Sequence, residues 1–197
     1  MGGMRPRAHP ADIRPPNADF RAGLWAGLIA GVVDEAVLTG LALAKGASPW
    51  AGMKGGAAIA LGPGVLEAAD GFHPGIFVAA MAVHFLLSII FGLVVAGLVR
   101  NAPAWMGLLI GLLFGLSIYT VGFYVFAPLY FPWLVPMRAM PAVLATHALF
   151  GLVLGAAYVA LRHGERRSGV ERRVFIGQLE PGRRRLADRR EIVAIPA

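Results

Sequence analysis

Asp34 and Glu35 stand side by side inside an apolar run that extends from Gly23 to about Ala44. If that run crosses a membrane, each carboxylate near the bilayer centre costs roughly 2.5 to 3.5 kcal/mol on insertion scales. Groups able to answer them are few and lie in the other apolar runs. They are His84, Tyr119 and His147, with Ser88, Thr120 and Thr146 close by in sequence and Arg138 in the aromatic link before the last run. Carboxylates and imidazoles can exchange protons around physiological pH, and ionisable residues within membrane helices mark ion paths and proton relays. Such chemistry requires the residues to meet, which places a demand on the elements that carry them.

Those elements follow from composition. Of the residues, 57% are apolar and 15% charged, and the mean hydropathy is +0.67. Several apolar runs reach the ~20 residues that a helix needs to cross the hydrocarbon core. An integral membrane protein with four spans is expected. The absence of cysteine excludes disulfides and thiolate metal sites. A net charge of +7 would suggest nucleic acid in a soluble protein, but here the arginines gather at the chain ends beside the spans, without interleaved aromatics or a nucleic-acid-binding module. They fit the basic flanks of cytoplasmic loops. The expected partner is the lipid bilayer, with anionic headgroups near the C-terminal tail and no nucleic acid.

In chain order, residues 1–20 mix Pro and Arg and read as a disordered cytoplasmic segment. A first helix is expected over 22–44; it is too long, and too acidic in its middle, for a signal peptide. Ser48-Pro49-Trp50 reads as a helix start, but the segment to Leu61 reaches only ~20 Å at 1.5 Å per residue. It is expected to be interfacial or re-entrant. A loop with Glu67, Asp70 and His73 follows. Asp70-Gly71-Phe72-His73 has metal-ligand residue types with too few companions, so a solvated turn is expected and no metal. Further helices are expected over 75–99, 104–129 and 140–161, joined by the tight Arg100-Asn101-Ala102-Pro103 turn and the aromatic link from Tyr130 to Arg138.

Residues 21–161 thus form an all-α, integral membrane four-helix bundle with one short extra helix between its first two spans. Residues 162–197 form an arginine-rich, mostly disordered cytoplasmic tail. Arg21, Arg100 and Arg162 flank one side, which puts both termini in the cytoplasm.

Each span carries one stripe of small residues at a four-residue step, the pattern that lets membrane helices approach closely. The stripes are Gly23, Gly27 and Gly31; His84, Ser88, Gly92 and Ala96; Gly107, Gly111 and Gly115, leading into Tyr119; and His147, Gly151 and Gly155. At 100° per residue, Asp34 falls within ~20° of Gly23, whereas Glu35 lies ~120° away. Measured from the expected helix ends, Asp34, His84, Tyr119 and His147 fall within roughly 10 to 15 Å of the outer surface. The expectation is one polar layer of these four in the outer half, flanked by Glu35 and Arg138, above a half closed by glycines. Glu35, on the flank, would suit a second protomer in a homo-oligomer.

Polar side chains can also do no more than hydrogen-bond helices together. Two histidines on separate helices could clamp a haem, but glycine packing on the same faces leaves little room for a macrocycle, so no cofactor is expected. The first and third helices share three glycines, and the second and fourth share a histidine followed by Phe-Gly-Leu-Val, a pattern a duplicated hairpin would produce. Neither a nucleophile with its base nor a phosphate loop is present, so no enzyme is expected.

The stretches Val83 to Gly92, Phe114 to Tyr119, Leu129 to Trp133 with Arg138, and His147 to Gly151 resemble small bacterial four-helix inner-membrane proteins of the YagU-like kind, some of which carry the label sodium:proline symporter. The resemblance covers about residues 20–161 and implies a compact protein of the bacterial inner membrane. His84 and His147 match its pattern. Gly122 stands where the related proteins would carry an asparagine. The function expected is proton-linked transport or sensing through the Asp/His/Tyr layer, or, alternatively, a structural or interaction role in the membrane.

Overall fold

The computed structural model describes residues 18–164, and within them the chain is helical with no strand. Four helices are long and apolar enough to cross a membrane. They are α1 (Ala18–Ala44), α3 (Pro74–Val99), α4 (Ala104–Tyr130) and α5 (Pro141–Gly164). The short α2 (Ala51–Leu61) lies between the first two, followed by a 3₁₀ turn at Pro63–Glu67, and a second 3₁₀ segment at Pro132–Ala139 precedes α5. Proline begins α3 and α5 and immediately precedes α4. At a first turn its missing N–H has no intrahelical acceptor to lose. Gly46 and Gly62 turn the chain with φ of +67° and +87°, a region open to glycine at little cost.

Two antiparallel pairs hold the long helices together. In α1 and α3, a Cβ placed on Gly27 would fall on the Ser88 carbonyl oxygen, and one on Gly92 would fall on the Gly23 carbonyl oxygen and the Gly27 backbone. In α4 and α5, a Cβ on Gly115 would fall on the His147 carbonyl oxygen, and one on Gly151 on the Gly111 carbonyl oxygen and the Gly115 backbone. The crossings correspond: Gly27 matches Gly115, Ser88 matches His147, Gly92 matches Gly151. The expected likeness of two hairpins is therefore present in the backbone, with His147 in the place of Ser88 rather than of His84.

A shared apolar core joins the pairs. It contains Ala22, Ala26 and Ala30 of α1, Val95, Ala96 and Val99 of α3, and Phe150, Leu154 and Tyr158 of α5, with Ile110, Phe114 and Ile118 of α4 packed against it. Outward faces carry Trp25, Leu86, Leu98, Leu113 and Leu129, all exposed. Such a surface suits hydrocarbon and not water.

Several boundaries differ from those expected. α1 begins at Ala18 rather than about 22, because Asp19 sits in its first turn, where a carboxylate favours the helix dipole, and bonds to Tyr158. Residues 18–20 therefore leave the expected disordered lead, whose remainder lies outside the described residues. At the other end α5 continues to Gly164, so Arg162 belongs to a helix and not to a tail; residues 165–197 lie outside the described part. α4 contains a π-helical turn at Gly122–Phe126. Pro128 explains it: proline has no N–H for the Tyr124 carbonyl and its ring crowds that oxygen, and a wider turn just before it relieves both. The link after α4 is a 3₁₀ helix, its Trp133 indole donating to the Gly55 carbonyl at 3.2 Å and so tying it to α2.

Substitution at the crossings should be costly. Gly27→Val and Gly115→Val force two backbones apart and should each remove at least about 1–3 kcal/mol, whereas Gly40→Ala, with nothing within 4 Å, should leave stability unchanged or raised. Melting in a mild detergent, followed by circular dichroism, checks the contrast.

Candidate functional site

The α1–α3 crossing sets the first polar pair. Gly31 has no side chain, so its carbonyl is open to α3, and His84 Nε2 approaches it at 2.9 Å. A carbonyl only accepts, so Nε2 carries the proton, and Nδ1 is left as an acceptor in the neutral ring or a second donor in the charged one. Ser88, one turn on, donates its hydroxyl to the His84 carbonyl at 2.8 Å and fills the space beside Gly31. Asp34 lies one turn beyond Gly31, half-buried, close enough to His84 and Glu35 for their charges to act on it. Its carboxylate makes no hydrogen bond or ion pair among the described residues. Glu35 accepts a long 3.4 Å bond from Thr39.

The second pair lies on α4 and α5. The Tyr119 and His147 rings meet edge to face at 5.8 Å, and Phe123 covers the imidazole at 5.6 Å. His147 Nδ1 donates to the Val143 carbonyl one turn back on its own helix, 2.8 Å away. Tyr119 donates its hydroxyl to the Arg138 carbonyl at 2.6 Å. Arg138 itself is exposed, with its guanidinium 5.5 Å above the Tyr124 ring. Arg138 therefore takes part in the site through its backbone.

The single polar layer expected from helix periodicity is thus two separate pairs. No hydrogen bond, ion pair or ring contact among the described residues joins Asp34 and His84 to Tyr119 and His147. Phe91, packed edge to face on Phe114 at 5.8 Å and on Phe150 at 6.3 Å, joins the two helix pairs through apolar rings instead. Asp34 and His84 also do not hydrogen-bond directly, because the imidazole N–H is taken by the Gly31 carbonyl. Each histidine thus has one ring nitrogen on a backbone carbonyl, and no ring contact joins the two imidazoles among the described residues.

The remaining polar side chains bond locally. Ser117, Thr120 and Thr146 donate to carbonyls three or four residues back. Asp70 pairs with Lys54, and His73 Nε2 lies 2.8 Å from the Ala69 carbonyl, so their stretch is a turn. Among the described residues no three His, Asp or Glu side chains gather as metal ligands.

A third polar group escaped the sequence reading. Arg162, only 5% exposed, donates to the carbonyls of Val99 at 2.9 Å, Arg100 at 3.2 Å and Ala102 at 3.0 Å. It supplies the donors that the last turn of α3 lacks. Its guanidinium lies 5.7 Å over Tyr158, whose hydroxyl donates to Asp19 at 2.9 Å, with Arg100 Nε 4.0 Å from the same carboxylate. The usable signal was Tyr158 four residues before Arg162, one helical turn apart, with an acid in the first turn of α1.

No family model, no curated protein and no solved structure matches this chain.

The buried arginine gives a direct stability test. Arg162→Leu strands the α3 carbonyls and should cost at least about 1.5–3 kcal/mol, the scale of one charge-assisted hydrogen bond. Arg100→Leu, whose side chain is 62% exposed in a 4.0 Å pair, should cost less than about 1 kcal/mol. Thermal melts of the two variants in the same detergent measure the difference.

Proposed function

We propose that this chain is a four-helix integral protein of the bacterial inner membrane, with Ala18 and Gly164 at the cytoplasmic end, in which Asp34 and His84 handle protons for transport or sensing. The four long apolar helices and their exposed leucine and tryptophan faces support membrane insertion. The contacts among Asp19, Arg100, Tyr158 and Arg162 bring both ends of the described chain and the α3–α4 turn to one side, and basic flanks on one side favour the cytoplasm. The resemblance of the histidine and glycine stretches to YagU-like inner-membrane proteins agrees with this location.

The observation that carries the proton reading is Asp34 itself. It is a half-buried acid on an apolar helix, within electrostatic reach of an imidazole, and without a hydrogen bond of its own. A carboxylate in that setting gains or loses a proton according to what faces it, and His84 retains one ring nitrogen for the exchange. Tyr119 and His147 act as packing groups: the Tyr119 hydroxyl and His147 Nδ1 are taken by backbone carbonyls, and the two rings pack on each other and on Phe123 away from any acid.

A second reading, a structural membrane partner, draws on a different observation. Ser88, Ser117, Thr120, Thr146 and His147 all return their donors to their own helix. On that reading Asp34 and His84 only fix helix packing.

Infrared difference spectra of the reconstituted protein stepped between acid and neutral pH separate the two. A carboxyl C=O band lost in Asp34→Asn and displaced in His84→Gln, but unaltered in His147→Gln, is the expected result. Vesicles carrying the wild type should show a pH-gradient-driven flux that Asp34→Asn abolishes with its melt intact. Spectra and flux indifferent to Asp34→Asn, with only its melting temperature lowered, would establish the structural role instead.

A further inference from the structure

At the end opposite Arg162, α2 and the two 3₁₀ segments enclose an open cleft of ≈ 330 Å³. That is within the range of roughly 300–1,000 Å³ usual for small-ligand sites. Leu66, Trp133, Leu134 and Met137 give it apolar walls, and Lys54 is its one charged side chain.

The α2 wall is built of glycine without any need from the fold. Glycine costs about 1 kcal/mol relative to alanine inside a helix, yet Gly52 and Gly55 both line the cleft. A Cβ on Gly52 would meet nothing within 4 Å, and one on Gly55 would make an ordinary contact with Leu134 at 3.6 Å. Neither has a left-handed φ. These glycines therefore differ from Gly27 or Gly115, which the helix crossings require. Bare backbone on the wall of a cleft lets a molecule from outside the chain approach closely.

Lys54 is built in rather than free. Its side chain is 13% exposed, and its ammonium donates to the Ala68 carbonyl at 2.6 Å and to Asp70 at 3.2 Å. An ammonium has three donors, so one remains. The Asp70 side chain is 94% exposed, a surface partner that an anion in the cleft can replace. One monodentate cation in an apolar cleft suits one carboxylate; a phosphate ester, with more acceptor oxygens and charge, would call for more donors.

We propose that this cleft binds the carboxylate end of a single-chain amphiphile, a long-chain fatty acid anion, with Lys54 on the carboxylate and the first part of the chain against Trp133, Leu66 and the α2 glycines. The site is separate from Asp34 and His84 and stands whether or not those residues move protons.

Full-length protein in phosphatidylcholine nanodiscs, titrated with bromostearate, tests it, because bromine quenches nearby tryptophan. Trp133 is isolated by difference from Trp133→Phe, since Trp25, Trp50 and Trp105 contribute too. Saturable quenching of Trp133 is expected, lost in Gly52→Leu and in Met137→Phe, which fill the cleft from opposite walls. Lys54→Gln should weaken bromostearate about tenfold or more and leave a brominated fatty alcohol unchanged. Circular dichroism melts equal to wild type certify each variant; the two filling changes guard against misfolding in one. Quenching that rises without saturation, that survives both filling variants, or that ignores Lys54→Gln overturns the proposal. So does saturation by a brominated lysophosphatidate alone, which would make the ligand a phosphate lipid.

Discussion

Two backbones in direct contact are the constraint on which this structure depends. At the Gly27–Gly92 and Gly115–Gly151 crossings there is no room for even one methyl group between the helices. Close van der Waals contact of this kind is what joins helices wherever the surroundings supply no hydrophobic drive between them. It also fixes register. A pair that can approach at only a few glycines cannot slide by a turn, and every polar side chain on the two helices then has a set neighbour.

The polar chemistry follows from that register more than from the polar residues themselves. Close approach brings the open Gly31 carbonyl within reach of His84, so an imidazole that would otherwise face Asp34 bonds to backbone. It also buries Ser88 beside Gly31. Asp34, one turn past the last buried residue of α1, is left where the helices no longer satisfy each other.

Much of this was legible. The four-residue step named every glycine of both crossings, with Ser88 and His147, and the angle from Gly23 separated Asp34 from Glu35. Periodicity stops at faces and depth, however, and neither says which of three neighbours a face meets. Four residues at similar depth were therefore read as one layer, although Phe91, Phe114 and Phe150 pack between the pairs. Arg162 was read as a topology marker because a charge just past an apolar run normally ends in water; only the α3 carbonyls, which come from a different part of the chain, turn it inward. The π turn in α4 was signalled by Pro128, a breaker within an expected helix. The cleft beside α2 rests on segments far apart in sequence and left no pattern to read.

The correspondence between the pairs also argues that their chemistry is unequal. With Gly27 matched to Gly115, the register carried one turn further matches Gly31 to Tyr119, and carried to Asp34 it matches that acid to Gly122. Where α1 has a bare carbonyl open to a histidine and then a carboxylate, α4 has a phenol and then a glycine that begins a π turn. Ser88, small enough to sit beside Gly31, is matched by His147, whose ring packs on the phenol. The same backbone crossing therefore supports two opposite arrangements: in α4 and α5 aromatic bulk fills the space past the glycines and takes up the hydrogen bonds, while in α1 and α3 that space is left to an acid and an imidazole. A frame present twice therefore carries an acid beside an imidazole only in its α1 and α3 half.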